Sequence, residues 1–150
     1  MIKKNVRLRL RYLGFNLIST LAIFATSNTV VAATTPDALM AEYGKEVSKT
    51  DKNHKSFSAD AGKKFFLSEQ KSKKGEMIAC ATCHTKDPTK TGKTRAGKAI
   101  EPIAVSANKE RFTDKAKVEK WFKRNCNDVY ERACTAQEKG DFIAYMKSAK

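Results

Sequence analysis

The chain is 150 residues long, carries 30 Lys+Arg against 16 Asp+Glu for a formal charge of +14, and is 41% apolar. That length suits one compact domain and excludes a second. The basic residues are not interleaved with aromatics, so the charge gives no argument for nucleic acid; the clusters over 45–55, 71–74 and 86–98 solvate loops or steer an acidic redox partner.

Lys3, Lys4, Arg7, Arg9 and Arg11 precede a mostly apolar run from Phe15 to Thr26, broken by Asn16, Ser19 and Thr20, and the small residues Ala32 and Ala33 follow Val30 and Val31. This is the order of a secretory signal peptide cut after Ala32 or Ala33. The apolar run falls short of the ~20 residues of a spanning helix, so no lasting membrane anchor is expected. The expected division is a cleaved signal over 1–32 and one domain over 33–150. Export leads to an oxidising compartment, the periplasm, where disulfides persist. After cleavage 25 Lys+Arg remain against 16 Asp+Glu.

In the domain, Thr35, Pro36 and Asp37 open a first helix with a cap, a proline and an acid, after which Leu39, Met40, Tyr43 and Val47 recur at helical spacing. Residues 48–57 are polar and read as a linker that holds His54. Ser58 caps a second helix, where Gly62 and Phe66 share a face. The missing side chain at Gly62 lets another backbone approach closely.

Cys80-Ala81-Thr82-Cys83-His84 comes next. Two thiols three apart reach the two vinyl groups of one porphyrin and become thioethers, and the adjacent imidazole ligates the iron. The expected cofactor is one covalent haem c, with His84 below the iron. From Thr85 to Arg111 there is no periodicity, and Pro88, Gly92, Gly97 and Pro102 punctuate the stretch. A loop of that length in a compact domain wraps a ligand, against which Ile100, Ile103 and Val105 can bury.

Thr113 and Asp114 begin a third helix, with Val118, Trp121 and Phe122 on one face, Glu119 placed to pair with Lys123, and Asn125-Cys126-Asn127 at its end. Thr135 and Glu138 form a capping box for a last helix that runs through Phe142, Ile143, Tyr145 and Met146. No segment alternates as a strand does. The expected fold class is all-α, with helices gathered around one prosthetic group.

With Cys80 and Cys83 holding haem, Cys126 and Cys134 remain and would close a short loop as a disulfide. The alternatives are a zinc site, from four thiolates or from three thiolates and an imidazole, and a redox-active dithiol. The position of His84 and the 42 residues between Cys83 and Cys126 argue against zinc. A redox dithiol needs a βαβ context that is missing from the pattern.

The sixth iron ligand separates an electron carrier from a ligand binder. Met77 lies on the tether itself. Met146 sits on an apolar stripe, where packing is the usual role of a methionine. His54, in a charged loop, is a bis-histidine candidate. Asn125, at the expected end of its helix, reads locally as a C-cap.

The segments Thr94-Arg95-Ala96-Gly97-Lys98, Arg111-Phe112-Thr113-Asp114, Val118-Glu119-Lys120-Trp121 and Arg124-Asn125-Cys126-Asn127, with Cys134 eight residues beyond Cys126, together resemble the sphaeroides haem protein family of high-spin cytochromes c. The resemblance covers essentially the whole mature chain. It implies a class I cytochrome c-like fold, His84 as axial ligand, Asn125 as sixth haem ligand and a Cys126–Cys134 disulfide. It further implies binding of oxygen, nitric oxide or similar small ligands, and electrons received from a dihaem cytochrome c. It leaves open whether the chain is an oxidoreductase or only binds its ligand.

An amide oxygen is a weak-field donor, tolerated by ferric iron and poorly held by ferrous, so reduction is expected to release Asn125 and free its NH2 to donate to a bound ligand. A backbone carbonyl near Pro102 is expected to take the second ring nitrogen of His84. Arg95 and Lys98 are expected on the haem propionates or as free loop charges, and Trp121 on the haem or in the core. The competing reading is a low-spin electron carrier with His54 or Met146 as sixth ligand.

Overall fold

Four side-chain caps set the helix starts in this computed structural model, which describes residues 34–150; the expected signal peptide lies outside them. Thr35 Oγ1 accepts from Ala38 N (3.1 Å) at the head of α1, Pro36–Thr50. Ser58 Oγ accepts from Ala61 N (3.2 Å) at α2, Ala59–Leu67. Asp114 Oδ1 accepts from Lys117 N (3.0 Å) at α4, Lys115–Tyr130, which follows the short α3, Cys80–His84. The box at α5, Ala136–Ser148, is closed on both sides: Thr135 Oγ1 accepts from Glu138 N (3.2 Å) and Glu138 Oε2 accepts from Thr135 N (2.8 Å). Each cap satisfies amides that a helix start leaves unpaired.

The core lies where α1, α2 and α5 meet. Leu39, Phe66, Ile143 and Met146 are wholly enclosed, and Tyr43, Phe112, Phe122 and Phe142 surround them. The α2–α5 crossing requires Gly62: a Cβ there would lie 1.9 Å from Asp141 O, inside any permitted contact. The buried Asp141 seals the same crossing, its Oδ1 accepting from Ser58 N (2.7 Å) and Gln137 Nε2 (2.9 Å). Buried carboxylates persist only where such donors satisfy them.

Two features depart from expectation. First, the chain forms two antiparallel pairs of two-residue strands, β1 (Gln70–Lys71) with β2 (Met77–Ile78) and β3 (Gly92–Lys93) with β4 (Ala99–Ile100), with Gln70 opposite Ile78 and Gly92 opposite Ile100. Ladders so short carry no readable alternation, and the class remains all-α. Second, Glu119 does not pair with Lys123. It accepts from Tyr43 Oη (2.5 Å) and Lys139 Nζ (2.7 Å), so it joins α1, α4 and α5. Among the described residues no helix is long and apolar enough to cross a membrane.

Candidate haem site

The single turn of α3 sets Cys80, Cys83 and His84, all half-buried, three and four residues apart and so on one helical face. Thr82 Oγ1 accepts from Ala79 N (2.9 Å) at its head. Thr85 ends it with φ of 63°, a conformation costly for a β-branched residue, and so turns the chain away directly after the imidazole. Gly92 on β3 backs the turn: a Cβ there would lie 2.1 Å from Cys83 O. The segment after β4 laces onto the same region, Ile103 N and Ala104 N both donating to Pro88 O at 2.9 and 3.0 Å.

His84 is held below the ordinary imidazole range, first by burial and then by the charge of Arg111. A neutral ring keeps the lone pair that metal ligation needs. Burial pushes the Cys80 thiol up to about 11. The Pro102 carbonyl, expected to anchor His84, accepts from Arg111 Nε (2.8 Å), and an Arg111 terminal nitrogen donates to Glu101 O (2.8 Å).

The α4 helix does not end at Asn125–Asn127. It continues to Tyr130, with Glu131 in the left-handed region as its cap, so Asn125 is not a C-cap. Val118, Phe122, Cys126 and Val129 form the buried stripe, and Trp121 and Asn125 stand one turn apart along its edge. Asn125 is half-buried and Trp121 is 42% exposed. Cys126 and Cys134 meet, with Cα atoms 5.7 Å apart, within the range a disulfide spans. Tyr130 then ties this end of α4 to α2 and to the α3 turn: its hydroxyl donates to Phe65 O (2.5 Å), its ring stacks on Phe65 at 4.6 Å, and the hydroxyl also lies beside the Cys80 sulfur.

The rival ligands are elsewhere. Met146 is fully enclosed by protein atoms, so no porphyrin reaches its thioether without displacing core side chains. His54 packs on Phe57, ring centroids 4.7 Å apart, in a groove beside α1 whose walls include Met40, Gly44 and Lys45 and none of the α3 residues. Arg95 and Lys98 stand exposed in the β3–β4 turn, Arg95 facing Glu76 at 3.7 Å. With Cys126 turned to Cys134, no group of three His, Cys, Asp or Glu side chains converges among the described residues as a zinc site requires.

The donor set fits a covalent haem. Two half-buried thiols and a neutral imidazole share one turn, and the two large apolar side chains left exposed among the described residues, Met77 (56%) and Trp121, lie on the strand entering α3 and on the edge of α4 beside Asn125. A flat apolar group is what such surface can bury against. Sequence reasoning missed Arg111, Tyr130 and Gly92, whose parts depend on partners far along the chain or across a turn; only the appearance of Arg111 in the Arg111-Phe112-Thr113-Asp114 segment hinted at the first.

Comparison with known proteins agrees. Residues 52–146 match a family described as a domain of unknown function, DUF1924. The chain is 50% identical over 88 residues to cytochrome c-type protein SHP of Cereibacter sphaeroides, covering 59% of this chain and 68% of that one. The structure of oxidized SHP, an oxygen-binding cytochrome c, matches with a TM-score of 0.68 at 43% identity over 78% of this chain and 99% of that chain. Cytochrome c'' of Methylophilus methylotrophus is 34% identical over 131 residues, 87% of this chain and 91% of that one. Its solution structure, which addresses the structural basis of haem-ligand detachment, matches with a TM-score of 0.68 at 37% identity over 75% and 92% of the two chains.

Proposed function

This chain belongs to the sphaeroides haem protein family of c-type cytochromes and carries a covalently attached haem c, and from that premise we propose that it is a high-spin cytochrome whose weak distal ligand, Asn125, leaves on reduction so that a small molecule can bind. Cys80 and Cys83 would hold the porphyrin as thioethers, and His84 would ligate its iron. When bound, the haem supplies an iron that changes oxidation state and takes a small ligand. The Asn125 amide oxygen would ligate the ferric iron and leave the ferrous one, and its NH2 would then be free to donate a hydrogen bond to a small ligand. A Cys126–Cys134 disulfide and the Tyr130–Phe65 bond hold the helix directly after Asn125, so that the motion is confined to the Asn125 side chain.

The observation that carries the reading is the position of Asn125 inside α4, half-buried on its edge and next to Cys126, while Met146 is sealed in the core. Two relatives add support: SHP binds oxygen, and cytochrome c'' has been studied for detachment of a haem ligand. Oxygen, nitric oxide or a similar diatomic is the ligand class. A dihaem cytochrome c in the periplasm is the electron donor, with residues 1–32 acting as a cleaved export signal.

Asn125→Ala tests the reading. The variant should keep its haem through denaturation and reduction but show a changed ferric spectrum, and the ferrous parent protein should bind carbon monoxide. A low-spin ferric parent whose ferrous form ignores carbon monoxide overturns it.

A further inference from the structure

We propose that Arg111 binds a haem propionate, and that Arg95 and Lys98 do not. The proposal rests on the haem at α3 and is independent of Asn125. Arg111 is half-buried in the turn that leads into α4. Two of its five N–H groups are committed, one to Pro102 O and one to Glu101 O, both at 2.8 Å. These carbonyls fix the plane of the guanidinium and leave its full charge in place. Among the described residues the ion pairs formed by the basic side chains do not include Arg111. A partly desolvated cation without an anion is unfavourable. The carbonyls that hold it belong to the segment whose next residues, Ile103 and Ala104, donate to Pro88 O just beyond His84, so the group that answers its charge belongs beside α3. The carboxylates of a haem bound at α3 are such anions, and three unused N–H groups in a planar fork match a carboxylate.

The residue is also held ready. Arg111 N donates to Asn108 O (3.2 Å), and the neighbouring Phe112, at φ of 63°, is buried with its ring edge-on to Phe142, centroids 6.3 Å apart. Backbone fixed on both sides of the guanidinium keeps it from swinging to solvent. Arg95 and Lys98 have none of this. Both are exposed at a hairpin tip, where water and salt screen their charge, and Arg95 already faces Glu76.

The test compares holoprotein carrying Arg111→Gln, Arg111→Lys or Arg95→Gln by resonance Raman spectroscopy and by reduction potential. Arg111→Gln should shift the propionate bending band and lower the potential, because removing a cation disfavours the reduced state. Arg111→Lys should keep most of the potential while still moving the band, since a point charge replaces a fork. Arg95→Gln should leave both in place. A band unmoved in Arg111→Lys, or one that moves in Arg95→Gln alone, overturns the assignment, and the lysine variant decides if the glutamine variant fails to accumulate. Spin-state bands in the same spectra report the distal ligand, so a failure of the Asn125 reading is seen separately.

Discussion

The α1–α2–α5 frame encloses Leu39, Phe66, Ile143 and Met146 completely, whereas the α3–α4 half leaves Trp121 42% and Met77 56% exposed. Backbone strain divides the same way. Among the described residues the three non-glycine positions with positive φ, Thr85, Phe112 and Glu131, all fall outside the frame helices, after α3, before α4 and at the end of α4. Each such residue costs about 1–3 kcal/mol and persists only where its surroundings fix it. The frame is stabilised by packing, with the Asp141 hydrogen bonds sealing its α2–α5 crossing. The α3–α4 half is stabilised by ties between separate elements: Cys126 to Cys134, Tyr130 to Phe65, Arg111 to the Glu101–Pro102 carbonyls, and Glu131 to Lys73 N (3.2 Å). A releasable ligand, the role proposed for Asn125, suits this arrangement, because a rigid frame can hold the fold while one side chain moves.

The sharpest way to break that contrast is to attack the frame where it has no slack. Gly62→Ala sets a Cβ 1.9 Å from Asp141 O, and backbone cannot yield as a side chain can. Overpacking of this kind costs about 3 kcal/mol, so denaturant unfolding of the holoprotein should show a large fall in midpoint; a loss under about 1 kcal/mol would mean that α2 and α5 can separate. In the other half, Cys134→Ser should cost about 2–3 kcal/mol by loop entropy. Unlike Gly62→Ala, it should also change the ferric spectrum, because Asn125 adjoins the freed Cys126. A variant that loses stability with an unaltered spectrum would show that the disulfide supports the fold and not the ligand.

The smallest expected effect lies on the seam between the halves. Burial raises the carboxyl of Glu119, but hydrogen bonds from Lys139 and Tyr43, with the charge of Lys139, outweigh this and hold it below the ordinary value near 4.5. A depressed folded pKa stabilises above the unfolded value and is lost as acid protonates the folded group. Stability should therefore decline as pH falls from about 4.5. Glu119→Gln should flatten part of that decline and lower stability at neutral pH by the corresponding amount, and an acid limb identical to the parent's would remove Glu119 from its causes. Glu138, held low first by the Arg132 hydrogen bond, contributes in the same direction and sets what remains in that variant.

Much of this was legible in the chain. The four caps, the apolar faces of α1 and α5 and the close approach at Gly62 all depend on residues within a few positions of one another, and the structure has each where the spacing put it. The misreadings have a common cause. The end of α4 was set at Asn125 because asparagine favours helix ends, yet Phe65 and Cys80 reach Tyr130 from other elements and Cys134 meets Cys126, carrying the helix a further turn. Glu119 was paired with its helical neighbour Lys123, and Tyr43 and Lys139 claimed it from α1 and α5.

By itself, then, the sequence determined that this is a haem-bearing helical domain, because the Cys-x-x-Cys-His spacing and helix capping are local chemistry. Only the tertiary structure decided that Met146 is sealed in the core, that His54 faces a groove apart from α3, that Asn125 lies within a continuous helix and that Arg111 is held by the Glu101–Pro102 carbonyls. Those are questions of which distant segments pack together, and packing is settled by the whole chain closing on one core.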